Sequence, residues 1–558
     1  MFGNLFNEFA ILLMFSVAFG FLAVRLYQPL ILAFIIVGIM LGPSVLSWIT
    51  ATSEIDLLAK MGVTLLLFIV GLRMDLTLIR TLGAISLATG LGQVIFTAII
   101  GYFIGLMLHL DHISAIYVAV ALTFSSTIII VKLLSDKNEI DSLYGRIAVG
   151  FLLVQDIIVI IAIIILSSFG IGAKTYSSIE LEILSFVFKG VGFLAVIGLL
   201  MRFVLPYLLD QIAISRELLV LSAVAWAVIL AGTADMLGFS KEVGGFLAGV
   251  SLASTKYRDA LASRLETLRN FMLLFFFLDL GAKLQLSLLH TQLVSAVVFS
   301  LFVLIGNPII VMIIMGYMGY RKRTGFLAGL TVAQISEFSL ILAALGESLG
   351  HINSNTVGLI TLVGIITIGL STYLIIYSHV LYAWLNPWLG IFERRAPYRE
   401  DTYSSSKKNE IDIIIFGIGR YGETMANILR KLGLHILGID FDPQKVKTWE
   451  NHHLLTRYGD AEDLEFTKTL PLAKVKWVVS TIPRAEINHT LISSLKENHY
   501  TGKIALSAYN EHELASLKTI PVDLIFIPYK DAAIKAAHSL AQYILGDKYD
   551  EIKKENNL

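Results

Sequence analysis

The sequence predicts a polytopic α-helical membrane domain with about 13 transmembrane helices, inverted repeats and crossed broken helices, followed by a cytoplasmic α/β Rossmann-like domain. Three observations predict this fold class. Composition changes abruptly along the chain, short patches recur within the apolar part, and a glycine-rich turn follows a buried strand near the C-terminus. We expect the membrane domain in residues 1–386, a linker in 387–409, the Rossmann-like domain in 410–547 and a polar tail in 548–558.

The composition separates a membrane part from a water-soluble part. Of 558 residues, 56% are hydrophobic and 15% are charged, whereas soluble domains contain about 25% charged residues. Residues 1–400 hold 45 of the 86 charged residues, and the remaining 158 residues hold 41. A net charge of zero gives no reason to expect a nucleic-acid partner. The absence of cysteine excludes disulfides and thiolate metal sites.

Thirteen apolar runs are candidates for crossing the bilayer, which takes about 20 helical residues, or fewer where a helix is broken. They lie at 5–24, 29–48, 57–72, 84–108, 113–130, 147–166, 184–203, 218–237, 243–253, 271–282, 293–318, 326–345 and 357–383. No basic segment precedes the first run, so we expect no cleaved signal peptide. Lys and Arg concentrate in alternate connections, and the opposite side keeps only Lys60, Lys174, Lys189, Lys241 and Lys283. The positive-inside rule then predicts an N-terminus outside and a cytoplasmic C-terminal domain.

Three short patches recur in the same order in the two halves of the membrane part. Residues 38–44 resemble 245–251, residues 68–73 resemble 278–283, and a polar patch at 125–127 resembles one at 334–337. Gly71 precedes Ser126 by 55 residues, and Gly281 precedes Ser336 by 55 residues. Small residues that favour helix packing would explain each patch alone, but their shared order favours a repeat. With the seventh run as a linker, the second copy is inverted, which is typical of secondary transporters.

Asp156 is the residue that we expect to bind the transported cation and the proton. It follows Gln155 in an otherwise apolar run, where a charge costs about 3 kcal/mol unless it is paired or functional. The alternative is pairing with a basic residue of a neighbouring helix, although Lys and Arg cluster near the cytoplasmic ends. Removal from water favours the protonated carboxyl, so a proton and a monovalent cation would compete for the same oxygens. Because Gln155 is not a second acid, we expect electroneutral exchange.

Other polar residues within the apolar runs complete the predicted ion and proton site. They are Gln155, Ser125, Ser126, Thr127, Ser336, Glu337 and Asn307. A polar break in a helix lets carbonyl groups and helix ends face an ion instead of lipid. Glu337 would either neutralise helix ends or help to bind the cation. Asn307-Pro308 would break the eleventh helix and bring an amide near the site.

The C-terminal module carries a dinucleotide-binding fingerprint. A buried strand at 411–416 leads into a Gly-x-Gly-x-x-Gly turn that opens a helix, and Asp440 ends the next strand, 23 residues after Gly417. The glycines let a phosphate approach the helix N-terminus, and the acid would bind ribose hydroxyls. Asp460, which a simple turn would also explain, and Thr481 follow further strands. The predicted ligand contacts are Gly417, Gly419, Arg420, Gly422, Asp440, Asp460 and Thr481. Since no acid/base set for hydride transfer accompanies them, a regulatory site is favoured over an enzyme.

Taken together, these residues resemble the monovalent cation:proton antiporter-2 family, in particular its Kef-like members. In the membrane part the resemblance rests on 38–43, Gly71, Gln155-Asp156, 244–249 and 334–338. In the tail, 417–422 and 459–461 look like a potassium-transport nucleotide-binding domain of the TrkA-N/RCK type. The resemblance implies exchange of K⁺ or Na⁺ for H⁺ by alternating access, and NAD(H) or AMP as a regulatory ligand. It also implies lipid-embedded homodimers in a bacterial inner membrane, with an elevator-like motion and a cytoplasmic regulatory partner.

Two positions depart from the pattern of this family. Arg73 stands where relatives often carry Glu, and Asn307 stands where many carry a Lys that pairs with the core Asp. We therefore do not expect a proton to be carried by a Lys.

K⁺ is favoured over Na⁺ as the transported cation. The competing interpretation is a nucleotide-gated potassium efflux channel-like system, which would pass cations without coupled proton movement.

Overall fold

The computed structural model of the protein describes residues 5–48, 52–73, 84–137, 139–140, 142–168, 179–284, 289–394, 411–451, 454–517 and 522–545. The chain forms two compact units. The first comprises residues 1–140 and 144–393, and the second comprises 141–143 and 394–558. The described part of the first unit is built from helices, and the second contains a six-stranded sheet.

The helices of the first unit follow one another with short connections. In chain order they are α1 (Leu5–Arg25), α2 (Leu30–Leu41), α3 (Thr52–Arg73), α4 (Ala84–Met107), α5 (His112–Ala121), α6 (Thr127–Asp136), α7 (Leu143–Ser168), α8 (Ile179–Leu199), α9 (Leu205–Ile212), α10 (Arg216–Leu237), α11 (Lys241–Leu252), α12 (Arg258–Ala282), α13 (Leu289–Leu301), α14 (Asn307–Tyr317), α15 (Lys322–Leu330), α16 (Glu337–Ser348), α17 (Ser354–Ile376) and α18 (Ser378–Leu389). Single π-helical turns at Leu200–Val204 and Phe302–Gly306 join α8 to α9 and α13 to α14.

Within the described residues, eight spans are long and apolar enough to cross a membrane. They contain α1, α3, α4, α7, α8 with α9, α10, α13 with α14, and α17. The other five predicted runs coincide with the short helices α2 and α11, with the pairs α5–α6 and α15–α16, and with the apolar half of α12. The predicted fold class, a helical membrane part followed by a Rossmann-like domain, is confirmed.

Some predicted boundaries differ from the structure. The tenth run was expected at 271–282, but α12 begins at Arg258 because Leu261, Ala262 and Leu265 bury one face of its charged first half. The thirteenth run was expected to reach residue 383, but α17 ends at Ile376 and α18 starts after Tyr377. Helix α18 then continues through Pro387 to Leu389, so the first residues of the predicted linker are helical. Asn307 begins α14 after a π-helical turn, without the break expected there.

Glycines bring the two halves of the repeat together in a reciprocal way. A Cβ on Gly71 of α3 would lie 2.3 Å from the Phe246 carbonyl oxygen of α11. A Cβ on Gly281 of α12 would likewise lie 2.2 Å from the Ile35 carbonyl oxygen of α2. The second helix of each half thus packs on the third helix of the other half at glycine contacts. This exchange of partners is expected of two inverted copies of one motif.

Both polar patches of the repeat lie where a helix is interrupted. Helix α5 ends at Ala121 and α6 begins at Thr127, with the Ser126 hydroxyl accepting from the Ile129 N–H as an N-cap. In the second half, α15 ends at Leu330 and α16 begins at Glu337. The Ser339 hydroxyl of α16 donates to the carbonyl oxygen of Ala121 over 2.6 Å, so the two broken helices meet at their interruptions.

The sheet of the second unit is parallel throughout and has the strand order β3-β2-β1-β4-β5-β6. Its strands are β1 (Ile413–Phe416), β2 (Ile436–Asp440), β3 (Thr456–Tyr458), β4 (Trp477–Ser480), β5 (Lys503–Ser507) and β6 (Leu524–Phe526). The intervening helices are α19 (Arg420–Lys431), α20 (Pro443–Asn451), α21 (Leu464–Lys468), α22 (Ala485–Glu497) and α23 (Glu511–Leu517), and α24 (Pro528–Leu545) follows β6. Ile414 and Phe416 bury one face of β1 while Ile413 and Ile415 bury the other. A central parallel strand covered on both faces has this pattern.

Candidate ion-exchange and nucleotide sites

Asp156 lies in the middle of α7, beside the N-terminus of α6. Its carboxylate oxygen Oδ2 accepts a hydrogen bond from the Thr127 hydroxyl over 3.0 Å. Both side chains are half-buried. Within the described residues, no Lys, Arg or His forms an ion pair with Asp156, and the charge that acts on it is that of Glu337. The described structure therefore gives no support to the alternative of pairing with a basic residue.

Gln155 and Asn307, both predicted as site residues, lie behind Asp156 in a fully buried chain of hydrogen bonds. The Gln155 carboxamide accepts from the Ser125 N–H over 3.1 Å and donates to Gln93 over 2.6 Å. The Asn307 carboxamide accepts from the Thr97 hydroxyl over 2.8 Å and donates to the Leu122 carbonyl oxygen over 3.2 Å. Gln93 and Thr97 are not among the site residues predicted from the sequence. Their four-residue spacing on one face of α4, in an apolar run, was the signal that could have revealed them.

The serines and Glu337 lie at the two helix interruptions. Ser125 is 1% exposed, and its hydroxyl has no hydrogen-bond partner among the described residues. Ser126 and Ser336 cap α6 and α16, and Glu337 is the buried first residue of α16. Ser125, Thr127 and Asp156 therefore lie at the interruption between α5 and α6, whereas Ser336 and Glu337 lie at the interruption between α15 and α16. The place where the two interruptions meet is the crossing of the broken helices.

A buried arginine near the crossing was also missed from sequence. Arg269 of α12 is 5% exposed and pairs with Glu266, with 3.4 Å between Nη2 and Oε1. Its charge also acts on Glu337. Arg73, the first departure from the family pattern, pairs with the other oxygen of Glu266 over 2.9 Å. The Arg73–Glu266 pair therefore links the end of α3 to α12, whereas Arg269 and Glu266 pair within α12. Arg269 also compensates part of the negative charge of Glu337.

The glycine-rich turn of the second unit forms at the carboxyl end of β1. Gly417 has a φ of +90°, which favours glycine, and a Cβ on Gly422 would lie 2.0 Å from the Gly417 carbonyl oxygen. Gly419 precedes the first turn of α19 and offers no side-chain cap, so backbone N–H groups there are available to an anion. Arg420 is the first residue of α19 and is exposed. This geometry fits the phosphate of a nucleotide.

The other predicted contacts lie around the same turn. The buried carboxylate of Asp440 accepts from the Ile418 N–H over 2.6 Å and from the Asp442 N–H over 2.8 Å. Burial raises the pKa of Asp440, and the hydrogen bond from Asp442 opposes this effect. The Thr481 hydroxyl donates to the Gly417 carbonyl oxygen over 2.6 Å. Asp460 follows β3 and accepts from the Glu462 N–H over 3.0 Å, as in a turn. Asp440 and Thr481 thus shape the glycine-rich turn.

An inverted repeat whose broken helices meet beside an intramembrane carboxylate defines a membrane ion exchanger, and a parallel sheet with a glycine-rich turn defines a nucleotide-binding domain. Comparison with known proteins agrees with both. Residues 10–376 match the transmembrane sodium/hydrogen exchanger family, and residues 413–528 match the TrkA-N domain. The chain belongs to the sodium/hydrogen exchanger family. It is a multi-pass membrane antiporter that exchanges a cation for protons, it is not an enzyme, and it carries a TrkA-N nucleotide-binding domain.

Several curated proteins are similar over most of their length. The putative cation/proton antiporter YbaL of Escherichia coli is 24% identical over 89% of this chain and 90% of its own. The glutathione-regulated potassium-efflux protein KefC of E. coli is 28% identical over 86% of this chain and 75% of its own. K(+) efflux antiporter 4 of Arabidopsis thaliana is 28% identical over 70% of this chain and 67% of its own.

Two solved structures are also similar. The sodium proton antiporter MjNhaP1 of Methanocaldococcus jannaschii covers 69% of this chain and is itself covered to 98%, with 15% identity and a TM-score of 0.46. The TrkA-N domain of E. coli YbaL covers 24% of this chain and is itself covered to 99%, with 18% identity and a TM-score of 0.22.

Proposed function

We propose that the protein exchanges K⁺ for H⁺ in an electroneutral cycle, and that an adenine nucleotide bound to the C-terminal domain regulates it. The observation that carries the proposal is the Asp156 carboxylate, which is half-buried, has no basic partner among the described residues, and meets a helix N-terminus. One carboxylate that binds either a cation or a proton transfers one positive charge in each direction. K⁺ is preferred over Na⁺ because similar proteins are named for potassium efflux.

The proposed cation ligands are Asp156, Thr127 and Ser125. Hard monovalent cations bind oxygen, and these residues supply a carboxylate and two hydroxyls on one side of the interrupted helix. Ser126 and Ser336 would stabilise the helix ends, and Glu337 would adjust the electrostatic potential at the crossing from α16. Gln155 and Asn307 would act on the geometry of the site through their hydrogen bonds.

The nucleotide would bind with its phosphate at the N-terminus of α19 and its ribose near Asp440. The uncapped helix start and the close approach of Gly422 to Gly417 support this pose, with NAD(H) and AMP as the candidates. We further propose an exchanger domain in 1–386, a linker to 409, the nucleotide-binding domain in 410–547 and a tail in 548–558. The protein would be a homodimer in a bacterial inner membrane with its N-terminus outside, and a cytoplasmic partner would bind the nucleotide-binding domain.

Reconstitution into liposomes tests the exchange. A pH-sensitive dye reports proton flux after K⁺, Na⁺ or Li⁺ is added in turn, and valinomycin is included or omitted in the K⁺ experiment. We expect K⁺-dependent proton flux that does not change when valinomycin collapses the membrane potential. Asp156→Asn keeps the size of the side chain but cannot ionise, so its flux should equal that of empty liposomes. Asp210→Asn is the matched control, because Asp210 is exposed and pairs with Lys256 away from the crossing.

Two results would contradict the proposal. A cation leak without proton movement that responds to nucleotide would assign the protein to the channel class. Proton flux that depends on valinomycin would show net charge movement and would exclude an electroneutral cycle. A response to Na⁺ alone would retain the exchange and change only the identity of the cation.

A further inference from the structure

The interruption between α5 and α6 leaves backbone groups that the helices themselves do not satisfy. Residues 124–126 belong to neither helix, and Ser126 among them has an extended backbone beside Thr127, a proposed cation ligand. An unsatisfied backbone group in a membrane interior costs several kcal/mol. In this structure, the Leu122 carbonyl oxygen accepts from Asn307 and the Ser125 N–H donates to Gln155. Side-chain amides from two other helices therefore satisfy the two sides of the interruption.

Gln93 and Thr97 of α4 join these two amides into one continuous chain. The Ser125 N–H donates to Gln155, and Gln155 donates to Gln93 over 2.6 Å. Gln93 donates to Thr97 over 3.1 Å, and Thr97 donates to Asn307 over 2.8 Å. Asn307 finally donates to the Leu122 carbonyl oxygen. Each of the four side chains gives one hydrogen bond and accepts one, so the chain runs in a single direction from one side of the interruption to the other.

The four hydrogen-bonded side chains are tightly packed and shielded from solvent. Gln93, Thr97 and Asn307 are 0% exposed and Gln155 is 1% exposed, whereas Thr127 and Asp156 are half-buried. Gly90, one turn before Gln93, allows close packing, because a Cβ there would lie 3.0 Å from Val154 of α7. The buried chain therefore lies behind the accessible carboxylate and hydroxyl.

None of the four side chains titrates. No change in their own charge can therefore rearrange these hydrogen bonds when Asp156 exchanges a proton for a cation. A charged residue in the same place would rearrange whenever Asp156 changed its charge. A neutral chain is therefore suited to holding the interruption in one shape while Asp156 changes its charge.

We propose that Gln93 is a positioning residue for ion exchange: with Thr97 it joins two carboxamides that hold the interruption beside Asp156 in one shape. Gln93 contacts neither ion. Its effect reaches the cation ligands through Gln155, which accepts from the Ser125 N–H two residues before Thr127. The inference rests on the proposed ion exchange and assigns a role to residues that the proposed ligand set does not include.

The test compares variants of the full chain in liposomes. Gln93→Met removes the carboxamide at similar volume, and Thr97→Val removes the hydroxyl at nearly constant volume. Each should raise the apparent KM for K⁺ by about tenfold, the cost of one or two lost hydrogen bonds, and change the maximal rate by less than about twofold. Thr97→Ser should restore the KM. The double variant Gln93→Met/Asn307→Leu should be no worse than the poorer single variant, because the chain is already broken.

The pH dependence of exchange distinguishes a positioning role of Gln93 from a mere loss of folded protein. Gln93→Glu keeps an acceptor for Gln155 but adds an acid near Asp156, and like charges disfavour ionisation. The pH at half-maximal exchange should therefore move upward in Gln93→Glu, which a mere loss of folded protein would not produce. Gln292→Met is the matched control, since Gln292 also donates to a backbone carbonyl, that of Asn355, away from the interruption.

Hydrogen exchange provides a readout that does not depend on transport. Amides of residues 122–127 should exchange faster in Gln93→Met and Thr97→Val than in the wild type and the Gln292→Met control. Unchanged amide exchange, or an unchanged KM with an unchanged pH profile, would overturn the inference while leaving ion exchange intact. Absence of coupled flux in the wild type would instead reject the proposed function, and the amide exchange would still decide whether Gln93 holds the interruption.

Discussion

Glu139 lies in the connection just before α7 and Asp156 lies in the middle of α7, and the partners of the two carboxylates differ in kind. Asp156 receives a single hydroxyl hydrogen bond. Glu139, which precedes α7, pairs with Lys137 over 2.9 Å and with His379 over 2.7 Å, and it accepts from the Tyr144 hydroxyl. Burial alone would raise the pKa of Glu139, but His379, Lys137 and Tyr144 outweigh it and lower that pKa to about 2. Glu139 therefore stays ionised at neutral pH and keeps its ion pairs with Lys137 and His379.

Removing this charge should destabilise the protein in a pH-dependent way. A pKa lowered from 4.5 to about 2 corresponds to about 3 kcal/mol of stabilisation. Because the folded pKa lies below the unfolded one, this stabilisation is complete above pH 4.5 and is lost as the pH falls toward 2. We expect Glu139→Gln to melt at a lower temperature than the wild type near neutral pH, with a difference that shrinks below pH 4.5.

Thermal melting of the purified protein in detergent between pH 3 and 7 checks this expectation. Glu242→Gln is the control, since Glu242 forms no ion pair among the described residues. If the difference in melting temperature between Glu139→Gln and the wild type did not change with pH, the ion pairs of Glu139 with Lys137 and His379 would not stabilise the fold.

At the scale of elements, the close approach of helices from opposite halves sets the framework around the crossing. Helix α3 packs on α11 and on α12, and α2 packs on α12. Gly71 and Gly281 occupy equivalent places in these contacts, so the helices touch through backbone atoms. Small residues are the usual means of such packing in membranes, where lipid removes the hydrophobic drive between helices. The inverted repeat is therefore visible in packing as well as in sequence.

The same glycine-to-alanine change should have opposite effects at two positions. Alanine is favoured over glycine in a helix by about 1 kcal/mol. At Gly71 the new Cβ would lie 2.3 Å from the Phe246 carbonyl oxygen, and the forced separation should cost about 1–3 kcal/mol. At Gly192 of α8 the Cβ would meet nothing within 4 Å. We expect Gly71→Ala to lower the melting temperature and Gly192→Ala to leave it unchanged or raise it. Equal effects would mean that α3 and α11 can move apart freely.

For the molecule as a whole, one chain joins an exchanger to a nucleotide-binding domain, and each has its own core. The buried side chains of the sheet form clusters on its two faces. Regulation requires that nucleotide binding change the free-energy difference between states of the exchanger, and exchange must then change nucleotide affinity by the same factor. This reciprocity makes nucleotide affinity a useful measurement on the full chain.

Nucleotide binding should depend on Asp440. Calorimetric titration of the full-length protein with NADH and with AMP should show binding of at least one of them, and Asp440→Ala should weaken it about tenfold or more. The substitution removes the acceptor of the Ile418 N–H and the carboxylate that we propose to bind the ribose hydroxyls. Asp523→Ala is the control. Asp523 also accepts a hydrogen bond from a backbone N–H, that of Ile504, but it lies just before the edge strand β6, away from the glycine-rich turn. If the wild type binds neither nucleotide, the proposed regulation is wrong.

Four features can be predicted from the sequence alone: the two-part organisation, the inverted repeat, the acid at the centre of α7 and the glycine-rich turn. These features depend on hydrophobicity, spacing and short motifs, which are local along the chain. Which polar residues meet could not be predicted in this way. Gln155 and Gln93 are 62 residues apart, and Thr97 and Asn307 are 210 apart. Contacts of that range depend on how the helices pack, and in a membrane every buried polar group must find its partner through that packing.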